Sequence, residues 1–108
     1  MIKVSKGIPF LKIKKNSKVS LYGCGSNGIM CYKQLIKSGY CRLAVWVDAN
    51  YADKVREGEE IKSVSELEET KYDYVFITII DENISRQVKR NLIDNGILED
   101  KIVTMQDK

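Results

Sequence analysis

The β-prone run Val19-Ser20-Leu21-Tyr22 stops abruptly at Gly23-Cys24-Gly25-Ser26-Asn27-Gly28. Three glycines in this spacing arise by chance in unrelated loops, so the pattern constrains a fold only through its neighbours. Here the neighbours agree. Ser26 to Lys37 has helical spacing, with Gly28, Cys31 or Tyr32, Leu35 and Ile36 on one face and Lys33 and Lys37 on the other, and Gly39 is placed to stop it. A second apolar run, Leu43-Ala44-Val45-Trp46-Val47, reads as a strand covered on both faces and ends at Asp48, 20 residues after Gly28.

The remaining segments continue the alternation. A polar stretch from Asn50 to Glu60 precedes a short third strand around Ile61 to Val64, and Ser65-Glu66-Leu67-Glu68 has the form of a capping box opening a short helix at Ser65. Tyr72 to Ile80 is the strongest strand, rich in aromatic and β-branched residues. Asp81 then caps a helix with Ile84, Val88 and Leu92 on its buried stripe and Gly96 at its end, and Ile102-Val103-Thr104-Met105 supplies the last strand. Strands alternating with helices, joined by right-handed crossovers, predict an α/β Rossmann-like fold. It is a three-layer, doubly wound parallel sheet of about five strands in the order 3-2-1-4-5. Residues 18–108 form this unit; residues 1–17 read as a basic N-terminal arm, either a short edge strand or a docking segment around Ile8 to Lys15.

The residue types in the turn suit an anion. Gly23 permits a tight turn, Gly25 lets the backbone approach a pyrophosphate with no side chain between, and Gly28 lets helix and strand pack closely. Unpaired N–H groups around Ser26 and Asn27 would point at the phosphates, aided by the positive end of the helix dipole. Asp48 would accept ribose hydroxyls. Its charge and the absence of Arg or Lys in the next five residues favour NAD over NADP. Thr78, at the end of the fourth strand, faces the same crevice either as a contact or as ordinary strand filler; Asp81 reads as a helix cap. The expected cofactor-binding set is therefore Gly23, Gly25, Ser26, Asn27, Gly28, Asp48 and Thr78, with NAD or a nucleotide sugar as ligand.

Charge is uneven along the chain. Residues 1 to 47 carry nine Lys or Arg and no Asp or Glu, whereas the remainder carries nine basic and fifteen acidic residues. A positive half attracts an anionic ligand, or the two halves attract each other within one compact fold. The chain has no histidine, which removes the commonest general base and metal ligand, and no tyrosine is followed by lysine four residues on, as short-chain dehydrogenases require. No catalytic set and no metal site is expected. Cys24, Cys31 and Cys41 lack CxxC spacing and are expected as free thiols; Cys24, beside a helix start, is a candidate reactive thiol. No run approaches the ~20 apolar residues of a membrane span and the opening lacks a secretory core, so a cytoplasmic protein is expected. The modest excess of base, without aromatic interleaving, disfavours a nucleic-acid partner.

From Lys18 to Val103 the chain resembles the small NAD(P)- or CoA-binding Rossmann domains found with bacterial glycosyltransferases, methyltransferases and nucleotide-sugar epimerase/dehydratases of capsule and surface-polysaccharide biosynthesis. The residues carrying the resemblance are Val19 to Gly28, Val45-Trp46-Val47-Asp48, Tyr72 to Ile79, and Leu92-Ile93-Asp94-Asn95-Gly96-Ile97. It implies that Gly23, Gly25, Ser26, Asn27, Gly28 and Asp48 contact a nucleotide, and it suggests service to sugar metabolism. Such families usually continue into a catalytic domain, so a binding module that works with a catalytic domain or partner enzyme, or as a homo-oligomer, is expected rather than a complete enzyme. Two alternatives stay open: an S-adenosylmethionine-dependent methyltransferase-like fragment, whose site also uses a glycine turn and an acid, and a scaffold that keeps the fold without the ligand.

Overall fold

The computed structural model describes residues 8–107. Its centre is a parallel sheet of β1 (Lys18–Tyr22), β2 (Arg42–Val47), β5 (Tyr74–Ile77) and β6 (Ile102–Thr104) in the order β2-β1-β5-β6. Helix α1 (Ser26–Tyr32) follows β1 and runs on through a wider π turn, Lys33–Lys37. Helix α2 (Glu82–Asp94) follows β5, capped by the Asp81 carboxylate, which accepts from the Ile84 N–H at 3.0 Å. Strand alternation distributes the apolar side chains between two cores. Val19, Leu21, Trp46, Phe76 and Val103 pack with Cys31, Tyr32 and Leu35 of α1, while Val47, Val75, Ile77 and Ile102 pack with Leu92 of α2 and with Leu67. The architecture is thus three-layered and α/β, as the alternation predicts.

The third strand is reduced to one parallel bridge between Lys62 and Val47. Lys62 donates to the Trp46 carbonyl at 2.8 Å and accepts from the Asp48 N–H at 3.1 Å, so it occupies the predicted third place outside β2. With so short a neighbour, Leu43, Ala44 and Val45 are only partly buried, and β2 is covered fully only at Trp46 and Val47.

Three local expectations are corrected. The polar stretch before Ile61 holds an antiparallel hairpin, β3 (Val55–Arg56) and β4 (Glu59–Glu60), turned by Glu57 and Gly58 with φ of 52° and 82°. Two successive left-handed residues are what a two-residue hairpin loop needs to match strand twist. The helix placed at Ser65 is a 3-10 segment, Val64–Glu68, and its cap is Ser63, whose Oγ accepts from the Ser65 N–H at 3.2 Å. Ile84 is 49% exposed rather than on the buried stripe, because the first turn of α2 borders the open cleft beside the glycine turn.

The opening segment departs further from expectation. Residues 1–7 lie outside the described residues; from Ile8 on, the segment adds no edge strand to the sheet. Phe10–Lys12 is a 3-10 turn, and Ile8 and Ile13 are buried in the α1-side core. Tyr40 fastens it, donating its hydroxyl to the Ile13 carbonyl at 3.0 Å and meeting the Phe10 ring edge-on at 4.8 Å. The alternation of apolar residues with lysine therefore reflects one side chain, Ile13, plugging a helix layer rather than a pleated ladder. Ile13→Ala should lower stability by about 3 kcal/mol in urea unfolding, the cost of a core cavity; a change below about 0.5 kcal/mol would show that this segment does not belong to the core.

Candidate functional site

The glycine turn is built around one carbonyl. Gly23 leaves β1 with φ of +114°, a conformation that L side chains rarely adopt, and its buried oxygen accepts from Trp46 Nε1 at 2.8 Å and Thr78 Oγ1 at 3.2 Å. A Cβ on Gly28 would lie 2.1 Å from this same oxygen, so α1 packs directly on it. Trp46 is itself held by Tyr32, stacked at 4.9 Å between ring centroids. Thr78 is 2% exposed and its hydroxyl also donates to the Tyr22 carbonyl at 2.9 Å, so it joins the ends of β1 and β5. Its role here is internal. Asn27 spans the same gap, donating Nδ2 to the Thr78 carbonyl at 2.6 Å.

Asp48 braces the turn from β2. One carboxylate oxygen accepts from the Cys24 N–H at 2.8 Å and the other from the Asn50 N–H at 2.7 Å. Burial pushes its carboxyl up, but the amides of Asn50 and Cys24, with the nearby Lys54 charge, outweigh that and hold it below the ordinary 3.8. The thiol of Cys24 is raised by burial and then by Asp48, which leaves it protonated and argues against a reactive thiolate. Cys31 is pushed up to about 12 by burial, and all three cysteines are free.

Gly25 differs from its neighbours. It is exposed, its φ of −75° and ψ of −166° suit any residue, and a Cβ there would meet nothing within 4 Å. Among the described residues, nothing in the packing requires glycine at this position. The amides of Gly25, Ser26 and Asn27 find no acceptor among the described residues, and Ser26 stands exposed at the mouth. All seven residues expected from the sequence line one cleft of about 430 Å³, together with Tyr22, Cys24, Ala49, Ile79, Ile80, Ile84 and Val88. Ile80 and Ile84, 61% and 49% exposed, give the cleft an apolar wall; Ile80 stands at the end of the fourth strand, where the sequence puts the far side of the crevice, and Ile84 joins it in place of the buried stripe. A separate hollow of about 530 Å³ lies between Val64–Glu68 and the end of α2, with mainly apolar walls and no glycine turn.

Arg56 was missed altogether. It lies eight residues past Asp48, beyond the span in which a basic residue was sought, and the hairpin folds it back so that Nε donates to the Cys24 carbonyl at 3.1 Å. The signal available was Glu57-Gly58, a weaker turn dipeptide than Asn-Gly.

Two outcomes test this geometry. Gly28→Ala should destabilise by about 2–3 kcal/mol because a backbone oxygen cannot step aside, whereas Gly25→Ala should be neutral or stabilising by about 0.5 kcal/mol; equal costs in denaturant titrations would refute the distinction. Because the Asp48 pKa is depressed in the folded state, its contribution to stability is present above the unfolded value of 3.8 and disappears as pH falls through the lower folded value. Asp48→Asn should therefore flatten the acid limb of stability below about pH 4; an unchanged limb in a pH series of melts counts against the brace.

The solved structure of RSP in complex with beta-NADH has this fold, with a TM-score of 0.55 and 22% sequence identity over 88% of this chain and 55% of that one. The present chain thus spans about half the length of that protein. No curated protein matches the sequence. The C2185-like, N-terminal family matches residues 15–103, most of the chain. The chain belongs to the C2185-like, N-terminal family.

Proposed function

We propose that the chain is a nucleotide-binding module whose glycine turn holds the diphosphate of NAD or, sharing the same chemistry, of a nucleotide sugar. The observation that carries this reading is Gly25: among the described residues no packing contact calls for glycine there, yet it keeps side chains away from a row of amides that no described group accepts from. A ligand backbone or phosphate that must come within hydrogen-bond distance supplies the missing reason. Asp48 retains a lone pair on each oxygen for ribose hydroxyls, and Ile80 and Ile84 offer a flat base an apolar wall. The NADH complex named for the structural neighbour supports a ligand of this class.

The finer reading is a module that binds rather than turns over substrate, serving a catalytic domain or partner enzyme in sugar or polysaccharide synthesis. The resemblance from Lys18 to Val103 and the lack of histidine in the sequence support it. Among the described residues no helix is long and apolar enough to cross a membrane.

Isothermal titration with NAD, UDP-sugars, coenzyme A and S-adenosylmethionine decides between ligands. Saturable binding of NAD or a UDP-sugar is expected, with Gly25→Val losing at least about tenfold in affinity, or about 1.4 kcal/mol, while its unfolding midpoint holds. Binding of the methyl donor alone would favour the methyltransferase-like alternative, and binding of none would leave the scaffold alternative standing.

A further inference from the structure

The β3–β4 hairpin is tied to α1 and its π turn at two places. Tyr32 of α1 donates its hydroxyl to Glu59 Oε2 at 2.9 Å, and Lys37 pairs with Glu57 at 3.8 Å. Glu60 pairs with Lys62 at 3.3 Å. The hairpin's three carboxylates thus have partners, while Arg56 has no carboxylate within ion-pair distance among the described residues. Its guanidinium is fixed instead by two carbonyls: Nη1 donates to Val55 at 3.0 Å and Nε to Cys24 at 3.1 Å. A cation held by carbonyls rather than by an acid is not neutralised by a direct ion pair beside the turn.

The Cys24 carbonyl belongs to the same peptide unit as the Gly25 N–H. No described peptide bond is cis, so that N–H lies in the peptide plane on the opposite side of the C–N bond from the oxygen that Arg56 holds. The Cys24 N–H is meanwhile taken by Asp48 at 2.8 Å. Arg56 thus holds the oxygen of the Cys24–Gly25 peptide while Asp48 holds the preceding Gly23–Cys24 peptide, and a positive charge on that oxygen polarises the Gly25 N–H.

We infer that Arg56 is a positioning residue that aims and strengthens the Gly25 amide as a donor to the ligand's phosphate, acting through the Cys24 carbonyl rather than by touching the ligand. The inference rests on the nucleotide reading above and deepens it. Selectivity for a diphosphate over a bare nucleoside resides partly in a residue outside the cleft. Lysine does not replace it, since one ammonium lacks the fork that spans Val55 and Cys24.

The full chain carrying Arg56→Gln, and separately Arg56→Lys, tests this by titration with NAD and with adenosine. Arg56→Gln should lose about tenfold for NAD, as expected for one charge-assisted hydrogen bond, with adenosine affinity unchanged, and Arg56→Lys should recover only part of the loss. Undiminished NAD binding by Arg56→Gln, equal losses for NAD and adenosine, or full recovery by lysine would each overturn it. A ligand-free measurement runs alongside: the Gly25 amide resonance and its hydrogen exchange should change in Arg56→Gln while those of Ile77 and Val103 stay put, and an unmoved Gly25 resonance overturns the inference even where adenosine binds below detection. If the wild-type chain binds neither NAD nor a UDP-sugar, the nucleotide reading itself falls and takes the inference with it; wild-type binding that Arg56→Gln matches removes the inference alone.

Discussion

The Gly23 carbonyl is where the fold converges. Trp46 Nε1 from β2 and Thr78 Oγ1 just past the end of β5 both donate to it, and Gly28 brings α1 against it without a side chain. A buried carbonyl must be satisfied from within, and here the donors come from either side of β1. Tyr32 extends the constraint by stacking on Trp46 and hydrogen-bonding Glu59 of the hairpin. The turn is therefore set by helix, sheet and hairpin before any ligand arrives. Such preorganisation lowers the ordering cost of binding.

That dependence explains what could be read from the sequence. Strands buried on both faces and helices with a cap and a stripe leave local patterns, which is why β1, β5 and α2 were legible, as was the order of the sheet. The hairpin was not, because two-residue strands have no periodicity and are held by Tyr32 and Lys37, which lie twenty or more residues from their partners in the chain. The third strand failed as a strand for a related reason: only Lys62 reaches β2, and the chain turns at once into the 3-10 segment capped by Ser63. Around the opening proline, one buried isoleucine imitated a strand's alternation. The glycine turn, Asp48, Thr78 and the strand end at Ile80 were legible as neighbours across one cleft, whereas Arg56, the hydrogen bond of Trp46 and the exposure of Ile84 depend on long-range folding and left no local mark.

The residues read from the motif do not all stand in the same relation to the cleft. Gly23, Gly28 and Thr78 build the turn, and their chemistry is consumed inside the protein. Asp48 and Asn27 brace it, with hydrogen-bonding capacity left over. Motif identity alone merges these roles. Geometry separates the residues that would persist in any protein needing this strand-to-helix corner from those whose form the corner does not demand.

This separation bears on the scaffold alternative. A chain that kept the fold and had no ligand would still need Gly23 for its positive φ, Gly28 against the carbonyl, Thr78 beneath it and Asp48 on the Cys24 amide. Their presence therefore says little about binding. At position 25 the backbone is ordinary and the space beyond the missing Cβ is empty, so most side chains could stand there at little cost in stability. Glycine at that one place, in front of amides that no described group accepts from, is the feature that a purely structural role leaves without a cause and that an incoming phosphate explains.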